Sequence, residues 1–167
     1  DEDIARTLRR YGAPSRRYDA FSDLTDDVAA RLDAGQVGGW FQGRMEFGPR
    51  ALGNRSIIGD ARNPGMQKTL NLKIKYREGF RPFAPSVREE DVRTYFDLDG
   101  PSPYMLIVAP VHPARQRPLP PGSAESPLYE RLYFTRSDLP AITHVDYSAR
   151  VQSVSRRTNP RFWDLLT

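Results

Sequence analysis

Apolar positions along the chain sort into helical and extended stretches. Ile4 and Leu8, with Ala5 on the same side, predict a short helix over 3–10, followed by a Gly12-Ala13-Pro14-Ser15 loop. Leu24, Val28 and Leu32 repeat every four residues and predict a helix over 23–34, with Gly35 placed to close it as the residue after the cap. Residues 37–41 read as a buried strand whose two glycines permit close backbone approach. Residues 42–56 fit neither period, and Ile57-Ile58 suggest a short strand ended by Gly59-Asp60. Asn63-Pro64 reads as a cap and first residue of a helix running to about Ile74, with Met66, Leu70 and Ile74 inward.

Residues 80–87 hold apolar anchors and two prolines, which predicts irregular structure or an edge strand. Residues 89–96 suggest a helix with Val92 and Phe96 inside. Residues 104–111 are nearly continuous apolar sequence and predict a strand, as do 129–134 more briefly. Between them, residues 112–127 carry five prolines and one glycine and read as a loop. Residues 143–155 form a second extended segment with two parities. Val145, Tyr147, Ala149, Val151 and Ser153 share one face; Arg150 and Gln152 are neighbours on the other. Asn159-Pro160 opens a last helix containing Phe162, Trp163, Leu165 and Leu166. The alternation predicts an α/β (α+β) fold, one domain over 1–167 with the proline-rich loop as an insertion.

Composition narrows the chemistry. The 167 residues include no cysteine, which excludes disulfides, a cysteine nucleophile and thiolate metal sites. No apolar run approaches membrane-spanning length, and the expectation is a cytoplasmic protein with no membrane partner. The first residue is not Met and the last are Leu165-Leu166-Thr167, which leads us to expect an excised fragment. His112 and His144 lie far apart with no clustered acids, so no metal site is expected. Trp40 and Trp163 flank apolar positions and read as core.

Charge is unevenly placed. Residues 44–81 hold nine Arg or Lys against three acids, a net +6, whereas the whole chain carries +4 and the remainder therefore −2. Such an excess calls for an anionic partner, either phosphate on a small molecule or nucleic acid. Arg44, Arg50 and Arg55 alternate with Gly43, Gly48 and Gly53. Guanidinium forks and backbone N–H groups freed by glycine both suit phosphate. The plainer reading is a glycine-rich turn with solvated arginines. Glu46 within the segment is placed to pair with one arginine and hold its head group. The segment is not a P-loop, since GxxxxGK[ST] is missing. Lys73, Lys75, Arg77 and Arg81 form a second cluster near a predicted helix C-terminus, where basic residues also serve the helix dipole. Arg150 and Gln152 form a third pair suited to gripping a ligand, although a solvated strand face shows the same alternation.

Three stretches carry a family resemblance. Gly39-Trp-Phe-Gln-Gly-Arg-Met-Glu-Phe-Gly-Pro-Arg-Ala-Leu-Gly-Asn-Arg-Ser-Ile-Ile58 is the first, and Asn71-Leu-Lys-Ile-Lys-Tyr-Arg-Glu-Gly-Phe-Arg-Pro-Phe-Ala-Pro-Ser-Val87 the second. The third is His144-Val-Asp-Tyr-Ser-Ala-Arg-Val-Gln-Ser-Val154 followed by Asn159-Pro160. In order and spacing they resemble the NodU/CmcH/TobZ carbamoyltransferase family over roughly 35–166. The resemblance implies a YrdC-like domain, a twisted mixed sheet flanked by helices, and leads us to expect that it is C-terminally truncated here. It implies that this domain takes ATP, with Mg2+, and carbamoyl phosphate, and forms carbamoyl-adenylate. A Kae1-like domain of the same polypeptide, not represented in this sequence, would bind a metal and transfer the carbamoyl group to a hydroxyl acceptor. Carried over by motif, Arg50 resembles the arginine holding the carbamoyl or phosphate moiety, and Lys75 and Arg81 its partners on the adenylate side. Arg44, Arg55, Lys73, Arg77, Arg150 and Gln152 are further contacts implied in the same cleft. The expected partners are small-molecule substrates and the Kae1-like domain, with a homodimer open to the full-length protein. Two other readings stay open: a nucleic-acid-binding YrdC-like module, and a non-catalytic domain that packs against the Kae1-like one.

Overall fold

A computed structural model describes residues 2–167. The chain opens with helix α1 (Glu2–Tyr11), which has acids in its first turn and arginines in its last, as the helix dipole favours, and buries none of its residues. Helix α2 (Phe21–Asp33) follows and packs Leu24 and Val28 against a cluster around Trp40 and Phe162. It ends as the sequence predicts. Gly35 takes a left-handed φ of 79°, its N–H donates to the Leu32 carbonyl, and the Gln36 N–H donates to Arg31. These two bonds are a Schellman closure.

Strands β1 (Gly38–Phe41) and β2 (Arg55–Ile58) pair antiparallel, with Trp40 opposite Ser56. A second sheet has the order β3-β5-β4. In it, β3 (Ser86–Arg88) runs parallel to β5 (Ser148–Val154), and β4 (Ile107–Pro110) runs antiparallel to β5. The fold is therefore mixed α/β, with a mixed sheet flanked by helices, in line with a YrdC-like domain. Strand β5 is central, and every one of its residues except Arg150 is buried. Its inward Ala149 and Val151 join Val87, Val92, Phe96, Ala109, Val111 and Ile142 in the main core. As expected, β3 is an edge strand, and the turn at Glu89–Asp91 leads into helix α4 (Val92–Tyr95) with Val92 and Phe96 inside.

Four expectations are corrected. The helix expected from Pro64 starts later: Asn63 accepts from the Gly65 N–H and shapes a turn, and helix α3 spans Met66–Thr69. It then widens into a π-helix, Leu70–Lys75. Met66 and Leu70 are buried, but Ile74 is exposed and Asn71 is fully enclosed instead. An i→i+5 bonding pattern breaks the spacing of four on which the expectation rested.

The apolar run 104–111 is a strand only over β4. Ser102 pins the chain ahead of it, its N–H donating to Ser153 and its hydroxyl to the Val151 carbonyl. Met105 then turns left-handed, and Tyr104 and Leu106 face solvent. The segment at 129–134 is not a strand. Pro127 starts helix α5 (Leu128–Arg131), and Tyr129 and Tyr133 meet edge to face, four residues apart. Local start chemistry and i,i+4 stacking outweigh the strand preference of tyrosine where no partner strand is available. Finally, the extended segment expected from 143 begins only at Ser148, because residues 144–147 form a turn closed by the His144 N–H to the Ser148 carbonyl.

The proline-rich stretch is a loop, as expected, apart from a short turn at Pro113–Arg115. Arg115 anchors that turn to Asp138 and the Thr94 carbonyl. The last helix, α6 (Pro160–Leu165), starts at Pro160, with the Asn159 side chain accepting from the Phe162 N–H. Among the described residues, no helix is long and apolar enough to cross a membrane.

Gly53 packs directly against Phe162 of α6. A Cβ on Gly53 would run into the ring of Phe162, and the φ of 109° at this position disfavours any other side chain. Gly53→Ala should therefore destabilise the domain by about 3 kcal/mol, from overpacking and backbone strain together. Urea unfolding of the two proteins measures the difference.

Candidate functional site

The arginine–glycine loop between β1 and β2 is organised around one carboxylate. Glu46 accepts hydrogen bonds from the backbone N–H groups of Leu52 (2.6 Å) and Asn54 (2.8 Å) and from Arg55 Nε (3.2 Å). Arg55 extends the clamp by donating to the Gly48 carbonyl at 2.7 Å. The loop is also tied to distant elements. Gln152 on β5 donates to the Leu52 carbonyl at 2.7 Å and accepts from the Ser86 hydroxyl at 2.8 Å. Gln42 donates to Asn159, the cap of α6, at 2.6 Å.

These ties hold the loop against a cavity of about 490 Å³. Its lining combines apolar side chains, among them Leu32, Ile57, Met66, Leu70 and Phe162, with Gln152 and the cations Arg50, Lys75, Arg77 and Arg150. Among the described residues, no ion pair involves Arg50, Lys75, Arg77 or Arg150. The one carboxylate on the wall, Asp60, is taken by Arg62, which binds it through both Nε and Nη2. Burial pushes the Asp60 carboxyl up, but its hydrogen bonds from Arg62 outweigh that and hold it below its usual value.

Two of these cations, Arg50 and Arg150, lie close enough to repel each other. Arg50 has its Nε buried without a hydrogen-bond partner. Arg150 is pushed below its ordinary value, first by burial and then by the neighbouring Arg50 charge. An arginine stays protonated in such a setting, so the fold accepts like-charge repulsion and an unsatisfied donor at one spot. Both are relieved by an anion with several acceptor oxygens.

The structure thus gathers five of the nine residues singled out in the sequence: Arg50, Lys75, Arg77, Arg150 and Gln152. Gln152 has both ends of its carboxamide engaged by protein groups and secures the loop. The other four lie off the cavity wall. Arg55 is committed to Glu46 and the loop carbonyls, as the acid within the segment suggested. Arg81 pairs with Glu78 at 2.9 Å, and Arg44 and Lys73 are exposed. Sequence reasoning missed Asn71 and Phe83, which shape the Arg77 side of the cavity. The available signal was a polar residue one step from the apolar spacing of the helix, inside a stretch already rich in lysine.

Residues 29–167 match the family described as Carbamoyltransferase C-terminus, and the chain belongs to that family. It is 62% identical over 151 residues to an uncharacterized Synechocystis protein, covering 89% of this chain and 25% of that protein. It is 44% identical over 147 residues to nodulation protein NolO of Bradyrhizobium diazoefficiens, covering 86% of this chain and 23% of the relative. It is 38% identical over 140 residues to 3'-hydroxymethylcephem-O-carbamoyltransferase of Streptomyces clavuligerus, covering 84% and 22%. The chain spans about a quarter of the length of these relatives.

Glu46 supplies a pH test of the loop. Burial alone would raise its carboxyl, but the N–H groups of Asn54 and Leu52 and the Arg55 guanidinium hold it below the usual 4.5. A carboxyl depressed in the folded state stabilises above its unfolded value, and that contribution disappears as pH falls through the folded value. Glu46→Gln should lower stability at pH 7 by about 2 kcal/mol, as expected for charge-assisted bonds to a largely buried carboxylate. The gap between the two proteins should narrow steadily below pH ~4 in denaturation measured across pH.

Proposed function

We propose that this domain handles the phosphate-bearing substrates of an O-carbamoyltransferase. In this reading it binds ATP and carbamoyl phosphate and forms carbamoyl-adenylate, with one water consumed and pyrophosphate and phosphate released. The observation that carries the reading is the Arg50–Arg150 pair, two unneutralised cations meeting in a concave cavity beside an orphaned donor. Family membership supports the carbamoyl chemistry.

Arg50 and Arg150 would grip phosphoryl oxygens, their forks fixed by the loop and by β5. Lys75 would stabilise negative charge as it develops on the departing group. The apolar wall offers a surface for the flat, weakly polar part of a nucleotide. Among the described residues no three of His, Asp or Glu gather to hold a metal ion, so Mg2+ enters this reading as the companion of ATP.

Transfer to a hydroxyl acceptor is assigned in this reading to a Kae1-like domain of the longer polypeptide. Phe41, Met45 and Phe47 are exposed on the strand and loop that carry Arg50 and offer an apolar face for that domain. The whole enzyme would work in the cytoplasm.

Isothermal titration with carbamoyl phosphate and with ATP tests the proposal. Arg50→Ala and Arg150→Ala should each weaken carbamoyl phosphate binding at least about tenfold, the scale of one lost charge-assisted contact. Raising the salt concentration should weaken binding to the wild type more than to either variant. A folded wild-type protein that binds neither ligand would overturn the reading.

A further inference from the structure

We infer that Asn71 is a positioning residue for Arg77 and that the π-helix containing it exists to present the second cationic side of the cavity. The inference rests on the anion-site reading above and adds to it the device that aims two of its charges.

In an α-helical continuation of α3, the residue following Met66 and Leu70 on the inner stripe is Ile74. The π-helix bonds i→i+5 and brings residues five apart into line. Leu70 and Lys75 are five apart, and both line the cavity, while Ile74 is turned out to solvent. The wider turn therefore substitutes an ammonium for an isoleucine at the cavity wall.

The same turn encloses Asn71 completely. Its Nδ2 donates to the carbonyls of Gly79 (3.2 Å) and Arg81 (2.8 Å), which folds the segment after the helix back beneath it. Its Oδ1 accepts from Arg77 Nε at 2.6 Å, and its backbone carbonyl accepts from the Arg77 N–H at 3.0 Å. Tyr76 between them adopts a left-handed φ of 50°, which reverses the chain sharply enough for both bonds to form. The Arg77 guanidinium then lies over Phe83, its carbon 4.9 Å from the ring centroid. Held at Nε on one side and across its face on the other, Arg77 keeps its two terminal nitrogens for the cavity. Among the described residues neither donates to a protein acceptor. A buried asparagine whose hydrogen bonds all end on one loop and one cavity-lining arginine has a job that apolar packing does not supply.

The test is a double-mutant cycle read by titration with carbamoyl phosphate. Asn71→Ala and Arg77→Ala should each weaken binding about tenfold, and the double variant should be no weaker than Arg77→Ala alone. Additive losses would overturn the inference. Arg77→Lys keeps the charge and leaves the bonds from Asn71 to Gly79 and Arg81 in place, so it decides the matter even where Asn71→Ala fails to fold. Loss of affinity like that of Arg77→Ala supports positioning through Nε; wild-type affinity overturns it. Melting temperatures taken alongside separate the two roles, because a merely structural Asn71 lowers the melting point without changing the affinity of the folded protein. If Arg50→Ala abolishes binding while Asn71→Ala and Arg77→Lys bind normally, only this inference falls. If the wild type does not bind, the anion-site reading falls with it.

Discussion

The Glu46 carboxylate is the interaction on which the cationic face depends. The loop between β1 and β2 carries Arg44 and Arg50 among three glycines, Arg55 follows at the start of β2, and repulsion among these cations favours an open chain. Glu46 reverses this by accepting three donors from the far end of the same loop. One arginine, Arg55, is consumed as a structural cation, and Arg50 is left directed at the cavity. The division of labour follows from a single acid: it neutralises one positive charge and leaves the others in surplus. Repulsion between Arg50 and Arg150 is then held in place by packing and by backbone bonds, and it becomes available to whatever anion enters.

The remaining cavity wall solves a different problem. Helix α3 and the π-helix that continues it must bury Met66 and Leu70 against Ala141, yet they end in a segment where alternate residues are basic. Continuing the same stripe would send an apolar side chain to the wall. Widening the turn sends Lys75 there, and it encloses an amide able to satisfy the carbonyls of the returning loop. Apolar burial at one end of the helix and charge presentation at the other are reconciled by a change of hydrogen-bond register within six residues.

Much of this was readable from the chain itself. The helices with clear periods and end signals, α2 with Gly35 and α6 with Asn159-Pro160, stand where caps and glycine placed them. The face of β5 that carries Arg150 and Gln152 followed from alternation alone. Signals failed where a local preference met a tertiary tie. The apolar residues 104–106 promised a strand, but the Ser102 bonds to β5 bend the chain away before pairing begins. The aromatic run near Tyr129 promised a strand with no neighbour to pair with. Asn71 was hidden because a helix is read with one period, and a π-turn changes that period without a residue type that announces it. For the site, charge density pointed to the right segments. Which arginine is structural and which is free depends on the reach of Glu46, and that is a property of three dimensions.

The bond between Gln152 and the Leu52 carbonyl joins residues 100 positions apart in the sequence. During synthesis at about 5–20 residues per second, Leu52 leaves the ribosome roughly 5–20 s before Gln152 does. Through that interval the arginine loop has its internal Glu46 clamp but no sheet to rest on, and Arg50 has no Arg150 opposite it. The cationic face is thus one of the last features of the domain to come into being, assembled only when the central strand threads between its neighbours. Until then the surplus positive charge is spread along an open chain and is not gathered at one spot.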